Sequence, residues 1–417
     1  MSAPTAEIIA VGSELLTPHR LDTNSLFLTS RLNDAGVRVI GKCVVGDDVR
    51  ALEDRMRAAL ARVDILIVTG GLGPTADDIT RDAVASVLGR SLFENAETLA
   101  AIRERFARRR VPMPEINRRQ AMVPESAIVL PNPNGTAPGL MIEDGGRLVV
   151  LLPGPPGELQ PMFEACVFPR LRARAPSAVL RRRVIRIAGR AESEVDQVAE
   201  PIYSALSVSR VDVETTILAA AGQIELHLTG SGGDADEIDR VLQAGVDRLS
   251  SALAPAVVSV DGRRIEEVVG AALVARGWKL AAAESCTGGL LLECLTEIPG
   301  SSAWVAGGVV AYANEVKTGV LGVPAGMIDA HGAVSEPVAT AMVDGVRTKL
   351  GAEVGVAITG IAGPSGGTAE KPVGTVVIAV RTPDRHVVKA FAFAGDRRTI
   401  RIRSVATALD LVRRLTG

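Results

Sequence analysis

Ser285 and Lys317 are the two residues of this 417-residue chain whose types and surroundings best fit nucleophilic chemistry. The serine ends an apolar segment in Ala283-Glu284-Ser285-Cys286-Thr287-Gly288-Gly289, ahead of two glycines that free backbone N–H groups at a helix start. The lysine closes Tyr312-Ala313-Asn314-Glu315-Val316-Lys317, a segment that begins 23 residues after Gly289. Serine is a poor nucleophile until a neighbour accepts its proton, and lysine does so where a histidine–aspartate pair is missing. The four histidines, His19, His227, His331 and His386, are each isolated in sequence, so a conventional triad has little to draw on. Lysine is also scarce, six residues against forty arginines. Lys317 thus keeps a basic side chain whose pKa burial can lower, in a chain that uses arginine almost everywhere else. Spacing alone leaves a plainer alternative open, with Ser285 capping a helix and Lys317 solvated on one. Cys286 is a competing nucleophile that the sequence does not exclude, against its reading as a buried, inert thiol.

A second glycine loop, Gly360-Ile361-Ala362-Gly363-Pro364-Ser365-Gly366-Gly367, follows another apolar strand and is expected to face the same pocket. In that arrangement Ser285 attacks a carbonyl, and N–H groups around Thr287, Gly288 and Gly289 hold the oxyanion. Loss of one such donor lowers the rate by roughly 10²–10³. Arg397, after Gly395-Asp396, fits a clamp for a substrate phosphate, or else a surface ion pair.

Near the N-terminus, Thr69-Gly70-Gly71-Leu72-Gly73-Pro74-Thr75 places exposed N–H groups before a helix, which suits a phosphate. It is neither a Walker A loop nor G-x-G-x-x-G. Asp77, Asp78 and Asp82 lie just beyond, with Glu14, Asp22 and Asp47 at the ends of other elements. Several carboxylates beside a phosphate loop suggest a hard cation such as Mg²⁺ bridging to a diphosphate. The alternative, that acids favour the helix dipole, accounts for one or two of them.

Repeated strand–helix units position these loops. In residues 1–170, Ile8–Val11, Val37–Val45 and Asp64–Thr69 read as strands, with helices capped by Asp22 and started by Asp47, and another from Asp78 to Leu88. Continuous apolar strands between helices imply a parallel sheet covered on both faces, with ligands at the strands' carboxyl ends. Residues 171–257 offer strands near Val184–Ala188, Val211–Leu218 and Gln223–Leu228 with two helices, a small α+β spacer or dimerisation module. Its Gly230-Ser231-Gly232-Gly233 joins a strand to a helix, unlike the helix-to-helix loop of RNA-binding KH domains. Residues 258–417 open with a helix carrying Ile265, Val268, Val269, Ala272 and Leu273 at helical spacing. Strands Leu280–Ala283, Val305–Tyr312, Val354–Thr359, Gly374–Val380 and Val387–Phe393 follow. Asn314 is placed to cap the helix bearing Lys317, and Ser335 to cap the next, before a final amphipathic helix.

Composition narrows the class. A 47% hydrophobic and 23% charged chain fits a globular protein, and 3% aromatics leaves its cores to Ala, Val, Leu and Ile. A net charge of −2 gives no footprint for nucleic acid or an anionic membrane. No run of 18 apolar residues suggests a membrane span, and the N-terminus lacks the pattern of a signal peptide. Four cysteines without C-x-x-C spacing argue against zinc and disulfides, and with them the expected location is the cytoplasm.

Nearly the whole chain resembles the CinA family of competence/damage-inducible proteins. The first segment is similar to MoaB/MogA-type molybdopterin-binding domains at Asp22-Thr23-Asn24-Ser25, Gly46-Asp47-Asp48, Thr69–Thr75 with Asp77-Asp78-Ile79-Thr80-Arg81, and Pro153-Gly154-Pro155-Pro156-Gly157-Glu158. The third resembles nicotinamide mononucleotide (NMN) amidohydrolases at Ala283–Gly289, Gly300-Ser301-Ser302-Ala303-Trp304, Tyr312–Lys317, His331-Gly332-Ala333-Val334-Ser335-Glu336 and Thr359-Gly360-Ile361-Ala362-Gly363-Pro364. The resemblance implies a three-layer α/β domain, a small α+β domain and a C-terminal α/β amidohydrolase domain.

It implies deamidation of NMN to nicotinate mononucleotide and ammonia, without a cofactor, in pyridine nucleotide recycling. Ser285 would be nucleophile, Lys317 its base, and Tyr312 a proton relay or orienting group. Thr287, Gly288, Gly289, Ser302, Asn314, Thr359, Gly360, Gly363 and Arg397 would bind substrate. For the N-terminal domain it implies hydrolysis of ADP-ribose with a divalent metal (Mg²⁺, Mn²⁺ or Co²⁺). Glu14, Asp22, Asp47, Asp77 and Asp78 are the candidate metal ligands, beside a phosphate site at Gly70, Gly71, Gly73 and Thr75. Here the family's Gly-Asp-Glu-Leu-Leu reads Gly12-Ser13-Glu14-Leu15-Leu16, which removes one carboxylate. The expected partners are small nucleotides and a second copy of the chain, and the alternative is a molybdopterin- or nucleotide-binding protein without turnover.

Overall fold

Three runs of apolar residues, β1 (Thr5–Val11), β3 (Ile65–Thr69) and β8 (Arg147–Leu152), are buried along almost their whole length and form the centre of the first sheet. The computed structural model describes residues 3–174, 179–207, 211–220 and 222–417. The chain divides into two compact units. One runs to Arg181 with short later segments, one of them Gly230–Ile238, and the other holds the remainder to Gly417.

In the first unit β2 (Arg38–Val45), β4 (Leu92–Glu94), β5 (Met122–Pro124), β6 (Ile128–Leu130) and β7 (Gly139–Asp144) complete the strands. The main sheet runs β2-β1-β3-β8-β7-β6. Four of these are parallel, as the buried runs require, but β7 pairs antiparallel with both β8 and β6. The departure follows from the two-residue Gly145-Gly146 turn, with φ of 52° and 84°, which closes a hairpin and leaves no room for a crossover helix. Alternate residues of each strand enter different cores. Ile65 and Ile67 pack with Leu28, Leu32 and Phe163, whereas Leu66 and Val68 pack with Leu52, Met56 and Val84. Helices therefore cover both faces, the three-layer arrangement expected.

Largely in the second unit, β9 (Val179–Ala188), β10 (Val211–Ala220), β11 (Gln223–Gly232) and β12 (Val257–Ser259) form a sheet ordered β10-β11-β9-β12. With helices Glu192–Tyr203 and Ala235–Leu253 this is a βαββαβ unit of ferredoxin-like strand order. Five further strands follow: β13 (Leu280–Glu284), β14 (Val305–Val310), β15 (Val354–Gly360), β16 (Thr375–Arg381) and β17 (His386–Ala392). They are ordered β14-β13-β15-β16-β17, and the first three are parallel. Leu280, Ala282 and Val356 face a core with Val269, Leu291 and Leu409, while Ala281, Ala283 and Ala357 face one with Val338, Met342 and Val346. Small alanines in β13 let the helices on both faces approach this central strand closely.

Candidate active site

The carboxyl ends of β13, β14 and β15 lie side by side because Glu284 pairs with both Val310 and Ile358. Two backbone bonds extend the ladder past these ends, from Ser285 N to Ile358 O at 2.9 Å and from Ala311 N to Glu284 O at 2.7 Å. Ser285 and Tyr312 thus follow the strands at the same end where Thr359 lies near the close of β15, the carboxyl end at which parallel sheets bind their ligands. A cavity of about 270 Å³ opens there, lined by Ser285, Cys286, Tyr312, Asn314, Lys317, Thr359, Gly360, Gly363 and Arg397 among others.

Lys317 is 1% exposed, and its Nζ donates to the carbonyls of Ala311 at 2.9 Å and Tyr312 at 3.1 Å. Two tetrahedral positions of Nζ are thereby fixed, which leaves the third, proton or lone pair, for the cavity it lines. Burial lowers the pKa of this amine from its ordinary value. Burial acts in the opposite sense on the neighbouring Cys286, whose thiol is pushed up to about 11. Arg397 bridges two walls of the cavity, donating to Gly363 O at 2.7 Å and to the Tyr312 hydroxyl at 3.1 Å.

Several expected binding residues have other partners. Glu284 is fully buried and its carboxylate accepts N–H bonds from Gly289, Leu291 and Leu292 at 3.0, 3.1 and 3.0 Å. Gly288 N donates to Ser285 O at 3.1 Å. The Gly288 and Gly289 amides expected to hold an oxyanion are therefore engaged, and the loop's remaining candidates are the amides of Cys286 and Thr287. Thr287 is fully buried outside the cavity lining, and its hydroxyl has no hydrogen-bond partner among the described residues. Thr359 donates its hydroxyl to Ala333 O at 2.9 Å, so it holds the Ala333–Val334 wall. Ser302 sits exposed in a 3₁₀ turn outside the lining. Ala313, not Asn314, holds the N-cap position of the Lys317 helix, which frees the Asn314 side chain for the cavity. Ser335 does hold an N-cap position, but its hydroxyl donates back to Gly332 O at 2.9 Å instead of capping.

In the first unit a cavity of about 330 Å³ gathers Glu14, Asp47, Gly70, Gly71, Gly73, Asp77, Asp78 and Glu158, with no basic residue in its lining. Gly70 has φ 89°, and a Cβ there would collide with the carbonyl oxygen of Val11, so only glycine fits. Asp78 fills the loop from within. Its carboxylate accepts from Gly73 N at 2.7 Å, Thr75 N at 2.8 Å and the Thr75 hydroxyl at 2.6 Å. Arg81, 1% exposed, donates to the carbonyls of Leu72 and Gly73 from below, and burial lowers its pKa to about 10.

The other acids are similarly occupied. Asp22 caps the Thr23–Asp34 helix through Ser25 N at 2.9 Å and lines an adjoining cavity. Asp47 accepts from Ser13 N at 3.0 Å, while its neighbour Asp48 caps the Val49–Leu60 helix. The Asp77 carboxyl, beside the Thr75 hydroxyl, is held below the usual range. Among the described residues no three His, Cys, Asp or Glu side chains converge as a metal cage. The donor set thus does not fit a metal held by the protein alone.

Glu284 and Arg81 lie within the sequence motifs without an expected role there, and Arg401, which braces Thr287, lies outside them. The available signals were an acid at the end of a buried strand and an arginine one helical turn beyond Arg397.

Fold and site together define a two-unit α/β protein with a cavity at the strand ends of a sheet in each unit. Residues 7–173 match the family described as a probable molybdopterin binding domain, and residues 262–416 match the CinA C-terminal domain. A CinA-like protein of Koribacter versatilis is 47% identical over 417 residues, covering 98% of this chain and 99% of its own. One from Solibacter usitatus is 45% identical over 413 residues, covering 99% and 98%. A putative competence-damage inducible protein of Desulforudis audaxviator is 41% identical over 409 residues, covering 98% of each. The crystal structure of competence/damage inducible protein CihA from Agrobacterium tumefaciens covers 37% of this chain and 96% of its own, at 40% identity and TM-score 0.36. The chain belongs to the CinA family. Among the described residues no helix is long and apolar enough to cross a membrane.

Proposed function

We propose that the C-terminal site hydrolyses a carboxamide, with NMN as substrate. The observation that carries this reading is Lys317, buried at the wall of Ser285's cavity with two N–H positions taken by carbonyls. The neutral amine takes the Ser285 proton as Oγ bonds to the amide carbon. Collapse of the tetrahedral adduct breaks the C–N bond, and the Lys317 ammonium returns that proton to the departing ammonia. Water then attacks the acyl-serine, Lys317 again accepts and returns a proton, and the acid leaves with Ser285 restored. Arg397, with Tyr312 and Asn314, supplies the polar wall for a phosphorylated ribose. Ammonia release from NMN is the test. Wild type should release it, whereas Ser285→Ala and Lys317→Ala should lose roughly 10³-fold or more. Full activity in Ser285→Ala overturns the assignment.

For the first unit, Asp78 inside the Gly70–Thr75 loop supports ligand binding without turnover over metal-dependent ADP-ribose hydrolysis. AMP appearing from ADP-ribose only with Mg²⁺, Mn²⁺ or Co²⁺ would reverse that order.

A further inference from the structure

Arg401 stands one helical turn after Arg397 on the Arg397–Thr416 helix, yet it does not line the cavity. Its Nε and Nη2 both donate to the carbonyl oxygen of Thr287, at 3.1 and 2.6 Å. Among the described residues no carboxylate lies within ion-pair distance of it, so the guanidinium serves one backbone oxygen two residues from Ser285.

That oxygen belongs to the peptide joining Thr287 to Gly288. In a trans peptide the carbonyl and the following N–H point in opposite directions, so fixing one fixes the other. Here the N–H of Gly288 points back to Ser285 O. Gly288 and Gly289 have φ of 59° and 95°. Glycine passes between such conformations and negative φ with little penalty, so the loop backbone by itself permits this peptide to flip. A flip would turn the Thr287 oxygen toward the serine turn and remove the N–H bond that closes it. Glu284 holds the far side of the turn through Gly289, and Leu290 N adds a long bond of 3.3 Å to the Thr287 carbonyl, so the shorter Arg401 bonds carry most of its restraint. Arg401 also carries charge to this place, since together with Arg397 it opposes the upward shift of the Cys286 thiol.

We propose that Arg401 is a positioning residue that latches the Thr287–Gly288 peptide and so sets the reactive geometry of Ser285. The inference rests on Ser285 being the nucleophile of the reading above. It gives the two arginines separate roles, since Arg397 meets the cavity and Arg401 acts only through the backbone.

Arg401→Lys and Arg401→Gln in the full chain test this. Ammonia release from NMN should fall about 10- to 100-fold in kcat for the glutamine variant, as for a reacting group displaced by a fraction of an ångström. KM should change less than about threefold, and the pH dependence should keep its midpoint, because neither substrate contact nor the base is altered. The lysine variant, with a charge but no fork, should recover part of the loss, and added guanidinium at millimolar concentration should restore some activity to Arg401→Gly. A raised KM with unchanged kcat, or full activity in Arg401→Gln, overturns the proposal. The rate of Ser285 labelling by a fluorophosphonate needs no substrate, and it should fall in the same variants while their thermal midpoints stay near wild type. If wild type releases no ammonia but labels at Ser285 faster than Arg401→Gln, the substrate reading fails and the latch stands. If labelling rates are equal, the latch fails whatever the substrate.

Discussion

Lys317 Nζ donates to the carbonyl of Ala311 at 2.9 Å, and the N–H of that same residue donates to the carbonyl of Glu284 at 2.7 Å. The proposed base and the residue before the proposed nucleophile are thus joined through one residue at the end of β14. This juncture fixes their separation with backbone, not with a flexible side chain.

The pH dependence of ammonia release follows from Lys317. Its burial stabilises the neutral amine, so the pKa lies below the ordinary 10.5. Only the neutral form accepts a proton, so kcat/KM should rise with pH and level off with a midpoint below that value. Lys317→Arg should remove the rising limb along with most activity. A profile falling across the same range contradicts the role.

Cys286 should be dispensable for turnover. With its thiol at about 11, roughly one molecule in 10⁴ carries a thiolate at pH 7. Cys286→Ser should release ammonia within about threefold of wild type, and iodoacetamide should leave wild-type activity intact. Loss of activity on alkylation, with the serine variant dead, would transfer the chemistry to sulfur.

Glu284 should matter to stability before chemistry. Glu284→Ala leaves three buried N–H groups without an acceptor, at about 1–3 kcal/mol each. Urea denaturation should show a loss of about 3 kcal/mol or more, and Glu284→Gln, which keeps one acceptor oxygen, should lose less. An alanine variant within about 1 kcal/mol of wild type would mean that water replaces the carboxylate.

Gly70→Ala should destabilise the first unit by about 2 kcal/mol or more, because the added methyl meets the carbonyl of Val11 on a backbone that cannot yield. Thermal unfolding monitored in that unit reads this directly. The ammonia reaction of the other unit should be untouched.

Much of the fold was legible because buried parallel strands are unbroken apolar runs: Ile65–Thr69 and Val354–Gly360 are within one residue of their expected bounds. The hairpin at Gly145-Gly146 had a signal, a two-residue turn, that the strand–helix rhythm overrode. Caps were misassigned by one residue where neighbours compete, as at Asp47 and Asp48 or Ala313 and Asn314, since periodicity does not fix which residue leaves the helix. Which residues gather at each cavity followed from the strand ends. What those residues bond to did not, because hydrogen-bond partners such as Glu284 with Gly289 depend on directions that composition does not encode.

Asp78 and Glu284 each place a carboxylate inside a glycine loop, bonded to the amides that an incoming anion would otherwise seek. Such loops are ordered before any ligand arrives, so binding should carry little entropy of chain ordering. They should also transplant poorly: the glycines moved to another scaffold without their acid would bring the sequence of the loop but not its shape.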